Sequence, residues 1–418
     1  MLEESKAELC EPICGTSAVM GKTTIVATSY DGVICLIRSY AGLGARFASV
    51  LCWAVLVSLA ACSGTSSPGV QLDAPTGRYA VGALALHLVD DRPEANTADP
   101  TDVRELMVHL YYPAGASASA ASPYFFDPRE ALAVTRWQGL GDHDLDRVEA
   151  HAIVDADLAA SAEPFRVVFF SHGYGVPVVM YRQLIEELVS RGYVVVAIAH
   201  SYYSGPVVFP DGRTAAPASN AAVDDSVLAT WTDDARFVLE TIDRIGAGEI
   251  DGRFAGRLDL AHLGVFGHSY GGALAATLCA IEPRFAGGID MDGVLHGDVV
   301  TAGLDDPFLV LTTRDHVGDP SFDAFTRAAR AEVFVASIAD TAHMDFSDWP
   351  ALFPIYQRRQ PTLTRADLGL GDLPVERIDS LVRAYVVAFF EHTFSGTSSP
   401  LLEAGTPAGA PEVRVDVY

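Results

Sequence analysis

The strongest constraint on the fold is an alternation of short apolar runs with helical segments between residues 165 and 395. The apolar runs are continuous, which is typical of strands buried on both faces of a parallel sheet. This order predicts a single α/β domain with a mostly parallel central sheet and helices on both faces. The expected strands are 165–170, 194–199, 263–266, 287–291, 308–312 and 333–336, and the expected helices are 181–190, 232–245, 273–281 and 378–392.

Two further strands are expected before this region, over residues 79–89 and 104–112, because apolar and polar residues alternate in parts of both. Residues 114–162 are irregular and rich in alanine, serine and aspartate. We expect them to form loops or a small cap over a site.

The first 62 residues differ in composition from the rest of the chain. They hold all the cysteines except Cys279, which therefore has no partner for an internal disulfide in the remaining sequence. Residues 47–61 form an uncharged apolar run that follows Arg46 and ends in small residues. These features predict a secretory signal rather than a spanning helix, which needs about 20 apolar residues.

This signal resembles that of bacterial lipoproteins, which implies lipidation of Cys62 at the start of the mature protein. The alternatives are an ordinary signal cut nearby and a buried helix. The expected organisation is an extension over 1–45 from a mis-assigned start, a signal over 46–62, a tether over 63–76 and one domain over 77–412. We expect secretion across the cytoplasmic membrane and anchoring to the bacterial envelope through a lipid rather than a spanning segment.

The chain is strongly acidic, with 54 acidic against 28 lysine and arginine residues and a formal charge of −26. Such a surface repels nucleic acid and anionic membranes, so we expect a small-molecule substrate and no nucleic-acid partner. No H-E-x-x-H pattern occurs in the sequence and no paired-cysteine pattern occurs after residue 62, so we expect no metal and no other cofactor.

The sequence Gly-His-Ser-Tyr-Gly at 267–271 joins a predicted strand to a predicted helix. This is the G-x-S-x-G elbow in the context that it requires, and it predicts Ser269 as a nucleophile. The turn is sharp, so side chains in place of its glycines would collide with the neighbouring strand and helix. The elbow on a parallel sheet predicts the α/β-hydrolase fold.

A serine nucleophile needs a base and an acid, which follow it in the chain in this fold. His343 lies in the loop after the last predicted strand and is the expected base. Asp292 and Asp315 each end a strand from which a carboxylate can reach this histidine, and Asp290 is a weaker candidate. The residues alone leave the acid open. The histidines that remain after Ser269 are His296, His316, His343 and His392.

The oxyanion of an acyl-transfer reaction needs two main-chain N–H donors. Tyr270 follows the nucleophile and is expected to supply one. The loop at 171–175, after the strand 165–170, is expected to supply the other through Tyr174.

Several segments together resemble the plasma and intracellular isoform II type of platelet-activating factor acetylhydrolase. They are residues 167–175, 188–195 with 199–200, the elbow at 267–272, the strand end at 292–293, and the loop at 343–348. The resemblance implies Asp292 as the acid. It also implies a calcium-independent, cofactor-free serine esterase that removes short acyl chains from phospholipid-like esters. The segments 293–296 and 114–162 depart from the family pattern.

Two other functions are compatible with the motifs. A cutinase-like polyesterase or lipase would use Asp315 as its acid, although its usual C-terminal disulfide is ruled out when Cys279 is the only mature cysteine. A non-catalytic surface protein can also reuse this fold.

Overall fold

The computed structural model describes residues 25–30, 33–38, 69–115, 122–217 and 225–418. The chain divides into two compact units, Met1–Pro68 and Gly69–Tyr418. The described part of the first unit is an antiparallel hairpin of β1, Ile25–Tyr30, and β2, Val33–Arg38. The predicted signal over 46–62, with the proposed lipidation site Cys62, lies outside the described residues. In the part of the chain that the structure describes, none of the helices has the length and apolarity needed to cross a membrane.

The second unit is built on a ten-stranded sheet with the order β17-β16-β15-β14-β13-β9-β10-β5-β4-β8. The six strands from β16 to β10 run parallel to one another, and β5 and β17 flank them in the antiparallel direction. The mostly parallel α/β sheet is therefore confirmed. Its strands are β4, Ala80–Pro93; β5, Val103–Ala114; β8, Ile153–Val154; β9, Phe165–Ser171; β10, Tyr193–Ala199; β13, Leu258–His268; β14, Phe285–Met291; β15, Phe308–Thr313; β16, Val333–Ile338; and β17, Val413–Val417.

Helices cover both faces of this sheet, as expected. The described helices are α1, Pro128–Trp137; α2, Arg182–Ser190; α3, Asp225–Gly246; α4, Tyr270–Ile281; α5, Val299–Ala302; α6, Pro320–Ala328; α7, Trp349–Arg359; and α8, Val375–Ser395. Successive side chains of β9 point to opposite faces. Val168 and Phe170 join the core under α2, α7 and α8, whereas Val167 and Phe169 join the core under α3, α4 and α6.

The fold extends past both ends expected for the domain. Strand β17 pairs antiparallel with β16, so the sheet continues beyond residue 412. Strand β3, Val70–Gln71, pairs with β7, Val148–Ala150, so part of the expected tether belongs to the fold. Both strands are short, and each pairs with a strand that is distant in the sequence.

Residues 122–154 form a small layer of secondary structure rather than loops alone. It contains α1 and the strands β6, Ser122–Pro123, and β7, which form a three-stranded sheet with β3 in the order β3-β7-β6. The Tyr124 hydroxyl donates to the Asp348 carboxylate at 2.7 Å, and Arg182 donates to the Tyr124 carbonyl oxygen. Buried polar groups thus attach this layer to the start of α2. A two-stranded hairpin of β11, Val207–Val208, and β12, Thr214–Ala215, lies outside the main sheet.

Candidate active site

The turn between β13 and α4 holds Ser269 in a strained conformation, with φ 56° and ψ −121°. Non-glycine residues rarely occupy positive φ, and such strain is concentrated at functional sites. The glycines leave room for the turn. A Cβ on Gly267 would lie 2.1 Å from the Gly271 carbonyl oxygen, and one on Gly271 would lie 2.2 Å from the Ser171 carbonyl oxygen. Positions 267 and 271 therefore accept only glycine, as expected from the motif.

Three side chains meet at the carboxyl ends of the central strands. Ser269 Oγ lies 3.0 Å from His343 Nε2, and His343 Nδ1 lies 2.7 Å from Asp292 Oδ2. His343 begins the 3-10 turn His343–Phe346 after β16, and its side chain is 40% exposed. Because a carboxylate can only accept, Nδ1 carries the proton when His343 is neutral, and Nε2 is left to accept the Ser269 hydroxyl proton.

Asp292 follows β14 with φ 55° and is buried. Its Oδ1 accepts from Thr312 Oγ1 at 2.9 Å, from the Thr313 main-chain N–H at 2.8 Å and from His316 Nδ1 at 3.0 Å, while Oδ2 accepts from His343. Burial raises the pKa of this carboxyl, but the hydrogen bonds from His343 and Thr313 outweigh it. The pKa of Asp292 therefore lies below its ordinary value, which favours the ionised form.

The other acid candidates are placed differently. Asp290 lies within β14, two residues before Asp292, and is buried. Its Oδ1 accepts a hydrogen bond from the Gly293 N–H at 2.8 Å. Burial raises the pKa of Asp290 well above its ordinary value, which favours its neutral form. Asp315 lies in the 3-10 turn Arg314–His316, but its side chain is outside the described residues. The Nδ1 position of His343 is taken by Asp292.

The remaining histidines after the elbow have separate surroundings. His392 is on α8 and contacts Glu332 at 3.1 Å, and the His296 ring lies 5.8 Å from the Tyr270 ring. His316 shares Asp292 with His343, a contact that the sequence analysis missed. The only sequence signal for His316 is its position directly after β15, the strand next to the one that ends at Asp292.

Hydrogen bonds hold the loop after β9 on both sides of Tyr174. The Gly173 N–H donates to Tyr181 Oη at 3.1 Å, and the Gly175 N–H donates to the Tyr203 carbonyl oxygen at 2.7 Å. Tyr270 is the first residue of α4, directly after Ser269. The two expected oxyanion donors therefore lie on segments that flank the nucleophile, since the Cβ position of Gly173 is 3.3 Å from Ser269 Cβ.

A buried chain of hydrogen bonds links this loop to His343. The Tyr181 hydroxyl accepts from Gly173 and lies 2.8 Å from His268 Nδ1, while His268 Nε2 lies 2.8 Å from the His343 carbonyl oxygen. The carbonyl can only accept, so Nε2 donates and Nδ1 accepts from Tyr181. Burial lowers the pKa of His268 to about 3, which keeps it neutral. Sequence analysis did not find this chain, because its members are 75 or more residues apart except for Gly173 and Tyr181.

Comparisons with known proteins agree with this architecture. The family model described as platelet-activating factor acetylhydrolase, isoform II, matches residues 64–209. A curated protein of Arthroderma benhamiae, named a probable 1-alkyl-2-acetylglycerophosphocholine esterase, is 27% identical over 265 residues. The chain is therefore similar to platelet-activating factor acetylhydrolases over part of its length. The alignment covers 59% of this chain, which spans 65% of the length of the Arthroderma benhamiae protein.

A solved structure gives a longer match. The ferulic acid esterase from Streptomyces cinnamoneus is 31% identical to this chain, with a TM-score of 0.71, and the match covers 83% of this chain and 99% of the esterase. The α/β-hydrolase fold is therefore shown for nearly the whole second unit. The family-model match includes the loop at Tyr174 and ends before Ser269.

Proposed function

We propose that this protein is a serine carboxylic-ester hydrolase in which Ser269, His343 and Asp292 form the catalytic triad. The observation that carries the proposal is the unbroken hydrogen-bond chain from Ser269 Oγ through His343 to Asp292, at a serine with strained backbone. Similarity to a probable 1-alkyl-2-acetylglycerophosphocholine esterase and to a solved ferulic acid esterase supports the same chemistry.

In the proposed first step, Ser269 Oγ attacks the ester carbonyl carbon while His343 Nε2 takes its proton. The ionised Asp292 stabilises the resulting imidazolium through Nδ1. The main-chain N–H groups of Tyr174 and Tyr270 hold the oxyanion, and the protonated His343 gives its proton to the leaving alcohol. In the second step His343 deprotonates a water, which attacks the carbonyl carbon of the acyl-serine. The bond between this carbon and Ser269 Oγ then breaks, Ser269 takes the proton back from His343, and the acid leaves.

We propose phospholipid-like esters with short acyl chains as the preferred substrates. The name of the Arthroderma benhamiae relative, a probable 1-alkyl-2-acetylglycerophosphocholine esterase, supports this class. A second candidate is an ester of a bulky aromatic acid, because the solved relative with the longer match is a ferulic acid esterase. A cutinase-like polyesterase or lipase, with Asp315 as its acid, is the broader alternative.

The experiment compares wild type with Ser269→Ala on p-nitrophenyl acetate, octanoate and palmitate, on 1-alkyl-2-acetylglycerophosphocholine, and on methyl ferulate. Turnover that is confined to acetyl esters and lost in the variant is expected. Preference for methyl ferulate supports the second candidate, and preference for octanoate or palmitate supports a lipase or polyesterase. Equal rates for wild type and variant refute Ser269 as the nucleophile, and no turnover by wild type would favour a non-catalytic use of the fold.

We also propose export and lipid anchoring through Cys62, supported by the basic flank and apolar run that precede it. In a bacterial host, wild type is expected to partition into detergent and to incorporate labelled palmitate. Cys62→Ser should do neither. Equal incorporation by both would refute Cys62 as the attachment site.

A further inference from the structure

Two imidazoles converge on one carboxylate beside the nucleophile. His316 Nδ1 lies 3.0 Å from Asp292 Oδ1, and His343 Nδ1 lies 2.7 Å from Asp292 Oδ2. One ligand atom from each of these three residues can be chosen so that all lie within 4.8 Å of one another. The esterase mechanism uses His343 and Asp292, and it gives His316 no role.

We propose that His316, His343 and Asp292 form an inhibitory binding site for a divalent transition metal, with Zn²⁺ as the type ion. Two imidazole nitrogens and one carboxylate, with a fourth position left to water, are a common ligand set for zinc. In a tetrahedral site with zinc–ligand bonds near 2.0–2.1 Å, ligand atoms lie about 3.3 Å apart. The observed separations of 2.7 and 3.0 Å join the two nitrogens to different oxygens of Asp292. Zinc binding therefore requires each nitrogen to move a few tenths of an ångström from its oxygen, and the two nitrogens, which lie within 4.8 Å, to settle about 3.3 Å apart.

The surroundings favour entry of a cation. The side chains of His316 and His343 are 34% and 40% exposed, so the ion can reach both nitrogens from solvent. Asp292 is buried and held by the Thr312 hydroxyl and the Thr313 N–H. Such outer-shell hydrogen bonds orient metal-binding carboxylates. The formal charge of −26 also raises the local concentration of cations.

Binding would block catalysis through the tautomer of His343. Zn²⁺ takes the lone pair of a deprotonated Nδ1, so the single proton of the neutral imidazole moves from Nδ1 to Nε2. An Nε2 that carries a proton cannot accept the one from Ser269. The metal binding itself does not depend on the proposed esterase function, whereas the inhibition rests on it.

The decisive variant is His316→Asn. Asparagine Nδ2 and histidine Nδ1 are both attached to Cγ, so the amide can still donate a hydrogen bond to Asp292. An amide nitrogen cannot bind zinc as an imidazole nitrogen does. His143→Asn is the matched control, because His143 is an exposed histidine 2.8 Å from Asp146. Each protein is titrated with Zn²⁺, and its p-nitrophenyl acetate hydrolysis is expressed relative to its own rate in EDTA.

Zn²⁺ is expected to inhibit wild type and His143→Asn equally and reversibly, and Mg²⁺ at the same concentration should not inhibit. Loss of even an outer-shell partner weakens metal binding about 10–100-fold, so His316→Asn should need at least about tenfold more Zn²⁺. Equal half-inhibitory concentrations in wild type and His316→Asn would overturn the proposal and leave His316 as a brace for Asp292.

A binding measurement separates this proposal from the esterase function. Zn²⁺ is titrated calorimetrically into full-length Ser269→Ala and into Ser269→Ala with His316→Asn. The cysteines of the N-terminal part are present in both proteins, so their contribution cancels. The site is supported if Ser269→Ala shows a Zn²⁺ binding event that is at least about tenfold weaker in Ser269→Ala with His316→Asn. This result would support the site even if the protein hydrolysed no ester. Identical titrations would overturn it.

Discussion

Replacing Asp292 with asparagine tests the proposed triad most directly. Oδ1 of Asp292 accepts three hydrogen bonds, from Thr312, Thr313 and His316, while Oδ2 accepts only the one from His343. The asparagine oxygen is therefore expected to keep the Oδ1 position, and its NH₂ group is left facing His343. An NH₂ group donates, so His343 Nδ1 must accept and its proton must sit on Nε2.

In that tautomer His343 cannot take the proton of Ser269. The same carboxylate-to-amide change in a serine protease triad lowers kcat about 10⁴-fold through the wrong tautomer. This factor corresponds to about 5.4 kcal/mol of lost transition-state stabilisation. We expect a loss of this size for Asp292→Asn, with the overall fold kept because the two side chains have nearly the same shape.

The assay is kcat and KM for p-nitrophenyl acetate, with thermal unfolding to check that the variant is folded. Asp315→Asn is the matched control, since Asp315 is the other candidate acid, and it should keep a rate within a few-fold of wild type. A folded Asp292→Asn protein that loses less than tenfold would refute the tautomer argument. A loss of 10³-fold or more in Asp315→Asn alone would assign the acid to Asp315.

Three further variants test the surroundings of the triad. Tyr181→Phe leaves the buried Nδ1 of His268 without a hydrogen-bond donor, which costs about 1–3 kcal/mol. We expect a lower free energy of unfolding and a fall in kcat that is larger than any change in KM. An unchanged kcat would contradict a role for the hydrogen bonds that link Tyr181 and His268 to His343. Gly267→Ala brings a Cβ to 2.1 Å from a main-chain oxygen, whereas Gly252→Ala meets nothing within 4 Å. Only Gly267→Ala should lose activity, together with about 1–3 kcal/mol of stability. Equal melting temperatures for the two variants would refute this expectation. Burial raises the pKa of Asp348 to about 7, so its stabilising protonated form is fully present below the unfolded value near 4 and is lost as the pH rises through 7. Asp348→Asn cannot ionise, so its stability relative to wild type should rise between pH 5 and 7 by up to about 1.4 kcal/mol per pH unit. This rise adds to a constant loss, because an NH₂ group replaces one of two oxygens that accept from Tyr124, Arg182 and Gln183. Urea unfolding at pH 5 and pH 7 measures the change, and a difference that does not grow with pH would contradict it.

The sequence alone predicts the layers of the fold because burial on both faces leaves a continuous apolar signal. The strand expected at 165–170 is β9, Phe165–Ser171, and the expected closing helix at 378–392 is part of α8, Val375–Ser395. The ends are less predictable. Strand β17 is five residues long at the edge of the sheet, and so short an alternation of apolar and polar residues is a weak signal without its pairing with β16.

At the site, the sequence by itself determined the residues whose chemistry depends on local geometry. The elbow needs glycines two residues before and after Ser269 because the turn is sharp, so a short motif is enough to find it. His343 follows from chain order in this fold.

Only the tertiary structure decided which groups surround them. Asp292 and His343 are 51 residues apart, and His268 and Tyr181 are 87 apart, so no local pattern records these contacts. The parallel sheet places the ends of separate strands side by side at one edge. That arrangement brings His316 to the far oxygen of Asp292 and joins the loop after β9 to His343 through Tyr181 and His268. These contacts depend on hydrogen-bond directions and distances of about 3 Å, which exist only once the sheet has formed.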